Sequence, residues 1–142
     1  MEEKFRLAVM AVIVNEKNQV LIGSSPRDGG YKFPQGGVDM GETFLEAIKR
    51  EVMEELGLDL NDKDILEEYS EKVNYHYPIK FENLIGQSQV VFKIKYNKNM
   101  KLIPQDNEFE ELMWINPKEL EKYDTKHRIL AYKRALELCK LI

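Results

Sequence analysis

From Phe5 to Val14 apolar residues follow one another with almost no polar alternation. Such a run predicts a strand covered on both faces. Glu16-Lys17-Asn18 reads as a polar turn, and Gln19–Gly23 as a strand paired with the first. Ser24–Gly30 holds Pro26, Asp28, Gly29 and Gly30 and reads as a loop, followed by a short strand Tyr31-Lys32-Phe33. Between Thr43 and Leu56 the apolar positions take helical spacing. Thr43 and Glu46 form a capping box and Gly57 supplies the stop, so a helix is predicted over this span. Ile65–Tyr69 and Glu71–Tyr77 read as two strands. Gln87–Tyr96 alternates Phe92, Ile94 and Tyr96 with Lys93 and Lys95, as a half-buried strand does, and Phe109–Ile115 forms another. Asn116-Pro117 caps a short helix to Lys122, and Asp124 or Thr125 opens a last helix running to about Lys140. Strands mixed with two main helices predict α/β layers around a mixed sheet.

Chemistry concentrates on the first helix. A glycine-rich segment, Gly36-Gly37-Val38-Asp39-Met40-Gly41-Glu42, precedes it, and Arg50-Glu51-Val52-Met53-Glu54-Glu55-Leu56-Gly57 ends it. With Glu51 at zero on the helical wheel, Glu55 falls near about +40° and Glu54 near about −60°, one acidic arc that also holds Ala47. Leu45, Ile48, Val52 and Leu56 form the adjacent apolar stripe. Carboxylates this close repel one another, which raises their pKa values until cations relieve the repulsion. Mg²⁺, with Mn²⁺ as its substitute, suits such oxygen ligands and leaves room for substrate phosphates. An acidic helix face alone is commonplace. Joined to the glycine segment, Glu42 and Arg50, the spacing of seven fixed identities arises by chance about once in 10⁸ starts. Arg50 is expected to pair with Glu42 and fix the loop against the helix, a supporting role for both. Gly36, Gly37 and Gly41 are expected to take backbone conformations closed to other residues.

Length and charge narrow the class. The 142 residues suit one domain, here 1–142, with 43% hydrophobic and 32% charged residues. No apolar run is long enough to cross a bilayer, and nothing resembles a leader peptide. The lone Cys139 fits a reducing cytoplasm and a buried position. A net charge of −4 argues against long tracking along nucleic acid, although the C-terminal segment is locally basic.

The spacing G-x5-E-x7-R-E-U-x-E-E-x-G-U, with U apolar, over residues 36–58 resembles the signature of the Nudix hydrolases. The resemblance implies an α/β/α sandwich with a mixed sheet between helices. It also implies Mg²⁺-dependent cleavage of a phosphoanhydride bond, with Glu51, Glu54 and Glu55 on the metal and Gly36 beside them. Further segments are similar to bacterial RNA pyrophosphohydrolases and dinucleoside polyphosphate hydrolases: Phe33-Pro34-Gln35-Gly36-Gly37, Tyr75-His76-Tyr77-Pro78, Gly86-Gln87-Ser88-Gln89, Glu108-Phe109-Glu110 with Trp114, and Tyr132-Lys133-Arg134. By position they imply Glu108 as a further metal ligand or as the base, beside Glu51 and Glu54 in catalysis. They imply Gln35, Gly37, Tyr75, Gln87 and Gln89 near the substrate, Tyr132 as an aromatic face for a nucleobase and Lys133 as a cation for phosphate. The chain departs from that group in carrying Ser24-Ser25 where its members have an Arg pair, with Arg27 nearby in another register, and in a shorter segment between Tyr77 and Gly86. The expected ligand is a nucleoside polyphosphate, either a dinucleoside polyphosphate or the 5′ end of triphosphorylated RNA, with no membrane partner. Two rivals stand beside it: a MutT-type nucleoside triphosphate pyrophosphatase, and a non-catalytic nucleotide sensor on the same fold.

Overall fold

The computed structural model describes residues 2–105 and 107–142. Strands β1 (Lys4–Val14), β2 (Val20–Ser24), β3 (Tyr31–Lys32) and β4 (Gln35–Gly37) precede helix α1 (Phe44–Leu56). Strands β5 (Ile65–Phe81), β6 (Leu84–Lys95) and β7 (Leu112–Ile115) follow, then helix α2 (Ile129–Leu138). One mixed sheet runs in the order β3-β2-β1-β6-β5, with β4 also on β1 and β7 also on β2. β1 is its axis: parallel to β6 along its whole length, antiparallel to β2 at Val14 and to β4 at Ala8–Met10.

The sheet divides two cores. Met10, Val12 and Val14 face Ala131, Tyr132, Ala135 and Leu136 of α2. Val9, Ala11 and Ile13 face Ala47, Ile48, Val52 and Leu56 of α1. This two-sided burial explains why β1 reads as an unbroken apolar run. Helix α1 begins as its sequence predicts. Thr43 Oγ1 accepts from the Glu46 N–H at 3.1 Å, and Glu46 Oε1 accepts from the Thr43 N–H at 2.9 Å.

The structure differs from the sequence reading where tertiary pairing overrides local pattern. β5 is one strand through Phe81 rather than two, because register shifts between Glu68 and Lys72 absorb the break in alternation. It turns at Glu82 into β6, which starts three residues earlier than predicted, at Leu84 rather than Gln87. β4 carries a Gln-Gly-Gly sequence of poor strand propensity and exists by pairing with β1. Phe109 is not in a strand; its buried ring packs over Gly23, and β7 starts at Leu112. The last helix starts at Ile129, since Lys126 has φ 58° and a tight 3-10 turn spans Lys126–Arg128.

Candidate active site

Helix α1 lies against β4, and the contact between them builds the acidic part of the site. A Cβ on Gly36 would collide with the Glu51 carboxylate, and one on Gly37 with the Arg6 guanidinium. The need for glycine at these two positions is therefore close approach rather than unusual backbone, which corrects the expectation; only Gly41 of the three has a positive φ, 85°. One turn along the helix, Glu55 is buried and its Oε1 accepts from the Gln35 N–H at 3.3 Å. Its Oε2 has no hydrogen-bond partner. Burial pushes the Glu55 carboxyl well above the usual carboxylate range, and the hydrogen bond and charge shared with Glu51 push it further.

Arg50 ties the loop to the helix. Its Nε donates to Glu42 Oε2 at 2.7 Å, and Nη2 donates to Glu42 Oε1 at 2.9 Å and to the Gly37 carbonyl at 2.8 Å. Nη1 reaches Glu51 Oε1 at 2.8 Å and Glu54 Oε2 at 3.2 Å. Hydrogen bonds from Arg50 and the Asp39 N–H hold the Glu42 carboxyl at about 2. The expected Arg50–Glu42 pairing is present as drawn from the sequence. The expected gathering of three carboxylates is not: among the described residues no three acidic, histidine or cysteine side chains stand close enough to hold a metal ion. Glu51 and Glu55 are neighbours, while the exposed Glu54 turns to Arg50. The cause is electrostatic, because a guanidinium satisfies carboxylates that would otherwise repel one another. The buried Glu55 with its unpartnered oxygen, the half-buried Glu51 beside it and the bare Gly36 beneath fit a hard divalent cation.

Beside this pair opens a cleft of about 580 Å³. Arg6, Arg27, Lys32 and Arg128 bring cations to it. Lys32 is buried and donates to Asp28 at 2.5 Å. Partial burial alone would raise the Asp28 carboxyl, but hydrogen bonds and charge from Lys32 and Arg27 outweigh it and bring it to about 2. Arg27 spans from Asp28 to Glu108, at 3.3 Å to each. Glu108 therefore sits at the cleft edge as the partner of an arginine.

Gln35, Tyr75 and Gln87 line the cleft. Gln89 lies buried behind them and donates to Gln87 Oε1 at 3.0 Å, leaving its own Oε1 without a partner. Gln35 is engaged at both ends of its amide: Nε2 donates to the Tyr75 hydroxyl at 2.7 Å, and Oε1 accepts from the Tyr132 hydroxyl at 2.5 Å. Burial pushes the Tyr75 hydroxyl up to about 12, so it stays protonated.

Two expectations at the C-terminus are corrected. Tyr132 is fully buried, with its ring 4.4 Å from that of Phe33, and so presents no face to a base. Lys133 pairs with Glu121 on the outer side of α2, away from the cleft. His127 and Arg128, one turn earlier, line the cleft instead. Arg128 Nη2 donates to the Gly29 carbonyl at 2.8 Å, and its buried Nε is unpartnered. Its position four residues before Tyr132 was the available signal, hidden by reading Thr125–Arg128 as continuous helix.

The family model of the NUDIX domain matches residues 4–135. RNA pyrophosphohydrolase of Helicobacter pylori is 34% identical over 145 residues, covering 94% of this chain and 89% of its own. The same-named protein of a Nitratiruptor species is 33% identical, covering 98% and 96%. Among solved structures, a MutT protein from Methanosarcina mazei Go1 superposes with a TM-score of 0.73 at 23% identity, covering 99% of both chains. A C. elegans Ap4A hydrolase does so with 0.66 at 17%, covering 94% and 96%. The chain therefore belongs to the Nudix family and is similar to its RNA pyrophosphohydrolases.

Proposed function

We propose that this pyrophosphohydrolase cleaves a phosphoanhydride bond of a nucleoside polyphosphate, with Mg²⁺ as the divalent ion. The substrate is a dinucleoside polyphosphate or the 5′ end of a triphosphorylated RNA. One observation carries the reading: a buried Glu55 with an unpartnered oxygen, beside the half-buried Glu51, borders a cleft of cations and aromatic rings. Glu51 and Glu55 would hold the ion, joined by Glu54 once it leaves Arg50, with Gly36 beside them. The ion, when bound, would neutralise phosphate charge and polarise the phosphoryl oxygens.

The chain's own residues do the rest. Arg6, Arg27, Lys32 and Arg128 orient the polyphosphate, and His127 and Tyr77 offer ring surface to the base. Gln35 holds the Tyr75 hydroxyl in place, and Gln87 offers a polar contact. Glu108, exchanged from Arg27, accepts the proton of the attacking water. The buried Cys139 fits an enzyme working in the cytoplasm.

A panel of diadenosine tetraphosphate, triphosphorylated oligoribonucleotide and nucleoside triphosphates, incubated with Mg²⁺, tests the reading. Turnover of the first two above the third supports it. Preferential release of pyrophosphate from nucleoside triphosphates would place the chain with the MutT-type rival, and binding without turnover with the sensor.

A further inference from the structure

Beyond the cations, the cleft has a second wall. Tyr75, Tyr77, Ile79 and Phe81 alternate along β5, and all four line it. The inner half of this ladder is covered and the outer half is exposed. Tyr75 is 7% exposed at the floor and Tyr77 is half-buried, while Ile79 and Phe81 at the rim are 85% and 67% exposed. His127 continues the inner end, its ring 5.2 Å from that of Tyr75. The opposite side of the hairpin is anchored. His76 packs edge-on against Phe5 at 5.1 Å, Lys80 pairs with Glu3 at 2.7 Å, and the Asn83 side chain donates to the Glu2 carbonyl at 3.1 Å. Gly86 allows the close crossing, since a Cβ there would meet the Tyr75 carbonyl. The rim side chains are thus held over the cleft mouth by a hairpin fastened from behind. Two large apolar groups kept in water next to a polyphosphate cleft mark a contact surface for something apolar.

We propose that Ile79 and Phe81 form an outer platform for a second nucleoside, and so select ligands with two nucleosides over those with one. The inference rests on the proposed function and names the substrate feature this site selects. Phosphates go to the cationic wall, and the first base to the inner rings of Tyr77 and His127. Only a further base on the far side of the phosphates, or on the next nucleotide of an RNA, reaches the rim. A flat aromatic face stacks on any base, so the platform selects for the presence of a second nucleoside rather than its identity.

The test is the double variant Ile79→Ala/Phe81→Ala assayed on diadenosine tetraphosphate, a 5′-triphosphorylated dinucleotide and ATP. The expected result is a KM raised about tenfold on the two-nucleoside substrates at unchanged kcat, with ATP values unmoved. The melting temperature should hold, because both side chains are exposed. Equal losses on ATP, or no loss on any substrate, would overturn the platform. Calorimetry without added metal gives a readout free of turnover: the variant should bind diadenosine tetraphosphate about tenfold more weakly and ATP as before. If wild-type protein cleaves nothing yet shows this binding selectivity, the proposed function falls and the platform stands. If it cleaves but the variant loses no selectivity, or if it binds neither ligand, the platform falls.

Discussion

The Arg50 junction and the cleft floor adjoin through α1, which carries Arg50 and Glu55, and they treat polar groups in opposite ways. At the junction the guanidinium contacts Glu42, Glu51, Glu54 and the Gly37 carbonyl, and Glu42 is held ionised with a pKa of about 2. At the floor, the buried side-chain atoms without a partner among the described residues are Glu55 Oε2, Gln89 Oε1 and Arg128 Nε, all at or beneath the cleft. An unpartnered buried polar group costs about 1–3 kcal/mol. The contrast separates residues that hold the shape from residues kept ready for a ligand.

The largest expected effect comes from removing the ready group. Glu55→Gln should lower kcat at least about a hundredfold in assays with Mg²⁺, the scale of losing a charge-stabilising contact in the transition state. The same substitution should raise the melting temperature of metal-free protein at pH 8, since a neutral amide escapes the burial penalty of the carboxylate. Loss of both activity and stability would mean that Glu55 belongs with the structural group.

Next in size is the junction. Arg50→Lys keeps the charge but loses the fork that reaches three carboxylates and a carbonyl together. It should lower kcat/KM about tenfold, as removal of groups that orient metal ligands does, and lower the melting temperature as well.

The pH dependence of stability should distinguish the two carboxylates by sign. The Glu42 pKa falls from an ordinary value near 4.5 to about 2, so its contribution is present above that ordinary value and is lost as pH falls through about 2. The Glu55 pKa is raised, so its favourable contribution is full below about 4.5 and is lost as pH rises through the folded value. Metal-free protein should therefore melt lower at pH 8 than at pH 5, and Glu55→Gln should flatten that difference. Calorimetric scans at the two pH values, with and without Glu55, measure it.

How far the sequence was legible follows the same division. Helix α1 was readable end to end, because a capping box and an apolar stripe are local signals, and β1 was readable because burial on both faces leaves a continuous run. β4 was not, since Gln35-Gly36-Gly37 is a strand only by virtue of β1 beside it. The helical spacing puts Glu51, Glu54 and Glu55 on one arc of α1, but their partners, Arg50 for Glu51 and Glu54 and the Gln35 N–H for Glu55, depend on packing and charge balance in three dimensions. The cleft's cations come from β1, the β2–β3 loop, β3 and the turn before α2, with no spacing to connect them. At the C-terminus a single positive φ at Lys126 moved the helix start and exchanged Tyr132 and Lys133 for His127 and Arg128.

The smallest effects concern those displaced residues. Tyr132→Phe removes the hydroxyl that bonds Gln35 and should cost about 1 kcal/mol of stability by chemical denaturation, with KM changed less than the melting curve. Lys133→Ala should leave kcat and KM within about twofold, because its partner Glu121 is a surface residue and such pairs contribute little.

The most direct measurement is product formation from diadenosine tetraphosphate by wild-type and Glu55→Gln protein, each with Mg²⁺ and with a chelator. The account predicts wild-type cleavage that the chelator abolishes and a Glu55→Gln rate lower by at least about two orders of magnitude. Equal rates for the two proteins, or wild-type cleavage that persists in the chelator, would contradict it.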